Sequence, residues 1–138
     1  CCSNISVFIL TNPHNSNIEQ RNSYLTLQFD TPTNDSIEIV KMAIKGLKMI
    51  YMEGTSYKKA GVIVGNTTPN NQVQMSLFDR LKRGKRKRLM SSVDKINQLM
   101  GRDTVRIASQ GYGRKWKLRQ ERLSPCYTTR FSDILKAV

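Results

Sequence analysis

Histidine and tryptophan occur once each in these 138 residues, cysteine three times, and only ten residues are acidic. Each shortage removes a class of function. The single histidine, His14, sits in the polar run Asn12-Pro13-His14-Asn15-Ser16-Asn17 and reads as a loop residue. With Cys1 and Cys2 it makes a poor metal site, because a zinc-type centre needs three or four convergent ligands. Three cysteines, two of them adjacent, form no disulfide framework and fit a reducing compartment. No carboxylates stand as Asp-x-Asp or Asp-Glu, which argues against a two-metal phosphoryl-transfer site. Gly61 and Gly65 lack the Lys-Ser or Lys-Thr that completes a phosphate-binding loop, and no Ser, His and Asp constellation stands out. Nor does any apolar run approach the roughly 20 residues that span a bilayer. Val7-Phe8-Ile9-Leu10 is too short even for a secretory signal core. The expectation is a soluble, cytoplasmic chain with no membrane partner, no catalytic residues, no metal and no cofactor of its own. A start at Cys1-Cys2 without methionine further suggests a fragment.

What the chain does have is base, and it is unevenly placed. Residues 1 to 79 carry six Lys or Arg against six Asp or Glu, whereas residues 80 to 138 carry seventeen against four, which is the whole net charge of +13. A basic excess confined to one half points to a partner-facing surface, and the commonest intracellular polyanion is nucleic acid. The candidates are Arg86, Lys87 and Arg88 in the run 85–88, and Arg114, Lys115, Lys117 and Arg119 around Trp116. An aromatic among cations can stack on a base while its neighbours pair phosphates. Trp116 could equally anchor a small core.

The neutral half reads as alternating strand and helix. Ile5 to Thr11 is a continuous β-branched and aromatic run suited to a central strand with both faces covered. Tyr24 to Asp30 alternates, with Leu25, Leu27 and Phe29 on a core face and Tyr24, Thr26 and Gln28 on a wet or ligand-facing one. An antiparallel pair is expected. A helix should start at Asn34-Asp35-Ser36, with Asp35 and Glu38 at capping-box spacing. Ile37, Val40, Ile44, Leu47 and Tyr51 form its apolar stripe, and Lys41, Lys45 and Lys48 line another face. Gly46 should mark a close backbone approach, and Gly54 the helix end. Lys59 to Val64 supplies a third strand. Beyond the basic run, Leu89, Val93, Ile96 and Met100 recur at helical spacing up to Gly101, and Thr104 to Gln110 alternates as a strand. The fold class expected is α+β: a small antiparallel sheet with amphipathic helices on one face, followed by a basic helix-strand C-terminal region.

Between the halves lies Gln74-Met75-Ser76-Leu77-Phe78, which resembles the sliding-clamp-binding motif of bacterial polymerases and repair proteins, Gln-Leu-x-Leu-Phe. Such a peptide sets its register through a side-chain amide and gains affinity by burying adjacent apolar anchors, here Leu77 and Phe78. Met75 in place of the commoner Leu is a tolerable exchange, since Met is flexible and of similar volume. The alternative is a half-buried strand, with Val73, Met75 and Leu77 alternating against Gln72, Gln74 and Ser76. Flanking residues 67–71 and 80–88 look like tether and favour the docking peptide.

Ile5-Ser6-Val7-Phe8-Ile9, Thr31-Pro32-Thr33-x-Asp35-Ser36, Tyr57-x-Lys59-Ala60-Gly61, the docking peptide, Gln110-Gly111 and Leu123-Ser124-Pro125-x-Tyr127-Thr128-Thr129-Arg130 run in order through nearly the whole chain. Together they resemble the C-terminal part of the UmuC-like Y-family polymerases, the translesion class of the catalytic subunit of bacterial DNA polymerase V. The resemblance implies a partial little-finger domain over 1–66, with Tyr24, Thr26, Gln28 and Lys59 toward DNA. It further implies a linker carrying the clamp-binding peptide over 67–84 and a basic C-terminal domain over 85–138. It implies a bacterial, nucleoid-associated protein acting in SOS mutagenesis, with the catalytic carboxylates and Mg in a palm outside this chain. DNA, the sliding clamp, processed UmuD-type subunits and a RecA filament are the implied partners, and a homodimer is possible through an uncovered sheet edge. The rival reading is a stand-alone nucleic-acid-binding or clamp-regulating adaptor.

Overall fold

The run of β-branched residues near the start forms strand β1 (Cys2–Thr11), which lies between two antiparallel neighbours. These are β2 (Asn22–Thr33) and β3 (Tyr57–Thr67), in the order β2-β1-β3. The computed structural model describes residues 1–74, 76–77, 79, 81–112 and 121–134. Ile5 faces Leu27 on one side and Val64 on the other, and Val7 faces Leu25 and Val62, so apolar residues from all three strands share one side of the sheet. Helix α1 (Ser36–Ile50) covers that side over β1 and β2. Cys2, Ile5 and Phe29 make the core, with Leu27, Ile39, Met42 and Ala43 packed against it. The sequence led us to expect both faces of β1 to be covered. Among the described residues α1 is the helix packed on the sheet, and on the other face Ser6 is buried while Phe8 and Leu10 are half-buried.

The start of α1 is as its sequence predicts, with one change. The Asp35 carboxylate caps the helix by accepting from the Ile37 N–H at 2.9 Å. Glu38 does not reach back to the Asp35 amide as a capping box would require; Thr33 does so instead, its hydroxyl oxygen accepting from the Asp35 N–H at 3.1 Å while donating to Glu38 at 2.6 Å. Gly46 makes the expected close approach, since a Cβ there would lie 3.1 Å from Val7 Cγ2 and 3.3 Å from Leu27 Cδ1. That contact corrects the apolar stripe. The seated residues are Ile39, Met42, Ala43 and Gly46; of the predicted stripe Ile44, Leu47 and Tyr51 are turned aside and exposed, while Ile37 and Val40 are half-buried. Both stripes are apolar; the one with small residues lets the backbone come nearer the sheet. The helix also ends early, at Ile50, with the Tyr51 N–H donating to Leu47 O. Gly54, expected as its stop, takes its positive φ of 78° in the turn toward β3 instead.

Helix α2 (Arg83–Met100) begins well before Leu89, so the basic run 85–88 is part of the helix, with Lys85, Lys87 and Arg88 exposed on it. Gly101 ends it with φ 105°. The strand predicted over 104–110 is absent. Val105 instead exchanges both backbone bonds with the Asn97 side chain of α2, at 2.8 and 3.1 Å, and a short 3-10 turn follows at Ala108–Gln110. A side-chain amide has taken the place of a neighbouring strand. Among the described residues no helix is long and apolar enough to cross a membrane.

Candidate nucleic-acid and partner interface

Strand alternation places Tyr24, Thr26 and Gln28 of β2 opposite Phe8, Ser6 and Asn4 of β1 on the sheet face away from α1. Antiparallel pairing with β3 adds Lys59, Gly61, Ile63 and Gly65 to that face. The four sheet residues predicted to meet DNA therefore lie on one open surface. The Ser6 and Thr26 hydroxyls are 2.8 Å apart, and together they hold the pKa of the Tyr24 phenol below the ordinary value. Lys59 stands 5.8 Å from the centre of the Phe8 ring. The glycines keep the face thin. A Cβ at Gly61 would fall 2.3 Å from Phe8 Cζ, and one at Gly65 2.3 Å from Asn4 Oδ1. Asn4, Ser6, Phe8 and the two glycines were missed from sequence, because the register of β1 against β2 and β3 decides which of them share this face.

None of the described residues of the peptide between the halves is in a strand. Of its residues Gln74, Ser76 and Leu77 are described, whereas Met75 and Phe78 lie outside the described residues. The Asp79 N–H donates to Ser76 O at 3.1 Å. Leu77 is 93% exposed and Gln74 is exposed, while Ser76 is turned inward. Ser76 and Asp79 are joined to the body. The Ser76 N–H donates to the hydroxyl of Thr31, itself 1% exposed. Asp79 accepts from the Leu81 N–H at 2.9 Å and pairs with Arg83, whose other nitrogen reaches Glu38 at 3.3 Å. The Leu81 N–H, Arg83 and the Thr31 hydroxyl hold the Asp79 carboxyl below its ordinary pKa.

Of the basic candidates, Arg86 is spent on Asp35, forming an ion pair at the N-cap of α1. Burial pushes the Asp35 carboxyl up, but the Arg86 guanidinium and the Ile37 N–H more than offset it and leave the pKa lowered. Lys87 and Arg88 remain exposed on α2. Arg114, Lys115, Trp116, Lys117 and Arg119 lie outside the described residues. Among the described residues no three His, Cys, Asp or Glu side chains converge as a metal ion would require, so no step is assigned to a metal here.

Residues 1–77 match the impB/mucB/samB family C-terminal domain, and residues 87–137 match a domain of unknown function, DUF4113. The chain is 37% identical over 136 residues to Protein UmuC of Salmonella typhimurium, covering 98% of this chain and 32% of that protein. It is 33% identical over 134 residues to Protein ImpB of Salmonella typhimurium and to Protein MucB of Escherichia coli, covering 96% of this chain and 31% of each. The chain thus spans about a third of the length of these curated relatives. No solved structure gives a match. An open, hydroxyl-lined sheet backed by one helix and followed by a basic helix is the C-terminal domain of a UmuC-like protein. The chain belongs to the impB/mucB/samB family.

Proposed function

We propose that this chain is the DNA-holding and clamp-recruiting part of an error-prone translesion DNA polymerase that acts in SOS mutagenesis. In this reading it supplies binding and no chemistry. The observation that carries the reading is the open sheet face. Tyr24, Thr26, Gln28 and Lys59 stand together there with the Ser6 hydroxyl, and two glycines keep bulk off the surface. Hydroxyls, amides and a lysine suit phosphate and sugar contacts, which position a protein on nucleic acid without reading its sequence. The exposed cations of α2, Lys87 and Arg88, add the salt-sensitive term. Leu77 and Phe78 would be the clamp anchors.

A photo-crosslinking side chain at Gln28, on the open face, should capture a primer-template DNA at low salt. The same group at Lys45, exposed on α1, should not. Equal capture from both positions would refute the assignment of the DNA-facing side.

A further inference from the structure

We infer that Phe8 and Tyr24 make the open sheet face a stacking platform for unpaired bases, so that the ligand it holds best is single-stranded DNA, with Lys59 on the phosphate beside a stacked base. The inference rests on the proposed DNA side of the sheet and adds to it the state of the DNA which that side takes. Phe8 and Tyr24 stand directly opposite each other on β1 and β2. Tyr24 is 59% exposed and Phe8 is half-buried. The Phe8 ring leans toward β3, into space that a side chain would otherwise fill: a Cβ on Gly61 would lie 2.3 Å from Phe8 Cζ and 2.5 Å from Phe8 Cε1. Glycine at 61, directly across from Phe8 on β3, is what lets the ring lie there. The Lys59 ammonium stands over the same ring, 5.8 Å from its centre.

The chemistry of the face selects the ligand. Bases in a duplex offer a protein only their edges, because their faces are stacked on one another. An exposed ring therefore gains from a base only when that base is unpaired, and the gain is similar for every base because each has a π face. Aromatic side chains on an open sheet are one way in which single-stranded nucleic acids are held through their bases. A phosphate next to the stacked base would draw Lys59 off the ring, exchanging a cation–π contact for a charge pair. The charge agrees, since in the paired rows from Asn4 to Leu10 this face carries Lys59 and no carboxylate. The Ser6 and Thr26 hydroxyls, in the next row, add neutral partners for sugar and phosphate oxygens.

The test compares, by fluorescence anisotropy, binding of the full chain to oligothymidylate and to an abasic oligonucleotide of the same length, which keeps the phosphates and lacks the bases. The parent should bind the base-bearing strand about tenfold more tightly. Tyr24→Ala, and Phe8→Leu, which keeps apolar bulk without a ring, should each reduce that ratio several-fold, and Tyr24→Phe, which returns a ring, should restore it. Tyr24 is exposed, so its variants cover the case in which Phe8→Leu fails to fold. Lys59→Gln should weaken both strands alike and lower the salt slope by about 0.7. A ratio near one in the parent, or a ratio that Tyr24→Ala and Phe8→Leu leave unchanged, would overturn the inference; in the second case the bases are held elsewhere on the chain. Failure of the DNA reading itself looks different: Lys59→Gln then leaves the binding of both strands unchanged, and the crosslinker at Gln28 captures no DNA. If Tyr24→Ala alters the sedimentation of the chain and not the ratio, the platform meets a second copy and the inference also falls.

Discussion

Replacing Asp35 separates two jobs that one carboxylate performs. Its oxygen caps α1 through the Ile37 N–H, and its charge holds Arg86 of α2. Asp35→Ala removes both. The lost cap costs about 1 kcal/mol, the lost anion at a helix N-terminus about 0.3 to 1, and the lost pair at most about 1, because the Arg86 side chain is 24% exposed and partly screened. The sum is about 1 to 3 kcal/mol. Asp35→Asn keeps a capping oxygen and should cost about 1 kcal/mol less. A double-mutant cycle of Asp35→Asn with Arg86→Gln should give a coupling of about 0.5 to 1 kcal/mol. Urea unfolding followed by circular dichroism measures the first two, and amide hydrogen exchange along 83–100 reports whether α2 is released. With the Arg83–Glu38 pair, the Asp35–Arg86 pair joins α2 to α1, since an open cleft of about 420 Å³ lies between Ile37 of α1 and Leu89 and Val93 of α2 where an apolar seam would otherwise be. Zero coupling, with α2 exchange unchanged in Asp35→Asn, would refute the account of how the basic helix is attached.

Acid should act on the same contacts. The folded pKa values of Asp35 and Asp79 are lowered from 3.8, so their stabilisation is complete above that value and is lost as pH falls below it through the folded values. Amide protection in α2 should therefore drop in that window before the sheet melts; protection unchanged down to global unfolding would contradict this. Gly61→Val should destabilise by about 1 to 3 kcal/mol, because its Cβ would meet the Phe8 ring, and Phe8→Ala should relieve most of that loss in the double variant. Among the described residues no strand pairs with the outer edge of β3, where Val62, Ile63 and Val64 are roughly half exposed, and such an edge favours edge-to-edge pairing. Sedimentation over a concentration series should show self-association that Ile63→Lys reduces; a concentration-independent monomer would count against it.

Much of the sheet was legible because period-two alternation survives tertiary context. Leu25, Leu27 and Phe29 against Tyr24, Thr26 and Gln28 needed no structure to sort. The seating of α1 was not legible. Its sequence carries two neighbouring apolar stripes, and choosing between them depends on how Gly46 meets Val7 and Leu27, which is a contact between elements. The false strand at 104–110 has a related cause: alternation marks a segment able to pair, and Asn97 supplied the pairing from a helix. For the candidate site, the open face was half visible, since Lys59 and the β2 residues could be named, but Asn4 and Ser6 join them only through register. Arg86 illustrates the opposite error. A cation in a basic run reads as free for phosphate, yet this one faces the cap of α1. Thr31 was seen only as part of the entry to α1, and nothing in one dimension reveals that it faces Ser76, 45 residues away.

The claim that the chain holds DNA through its charge and its open face is tested most directly by affinity for duplex DNA as a function of salt. Log affinity should fall linearly with log salt. The slope should shrink by about 0.9 for each cation that contacts a phosphate and is neutralised, as Lys87→Gln and Arg88→Gln would do. Arg86→Gln, which removes a cation already paired with Asp35, should change the slope little. A flat salt response, or a slope altered by Arg86→Gln and unaffected by the other two, would contradict the account.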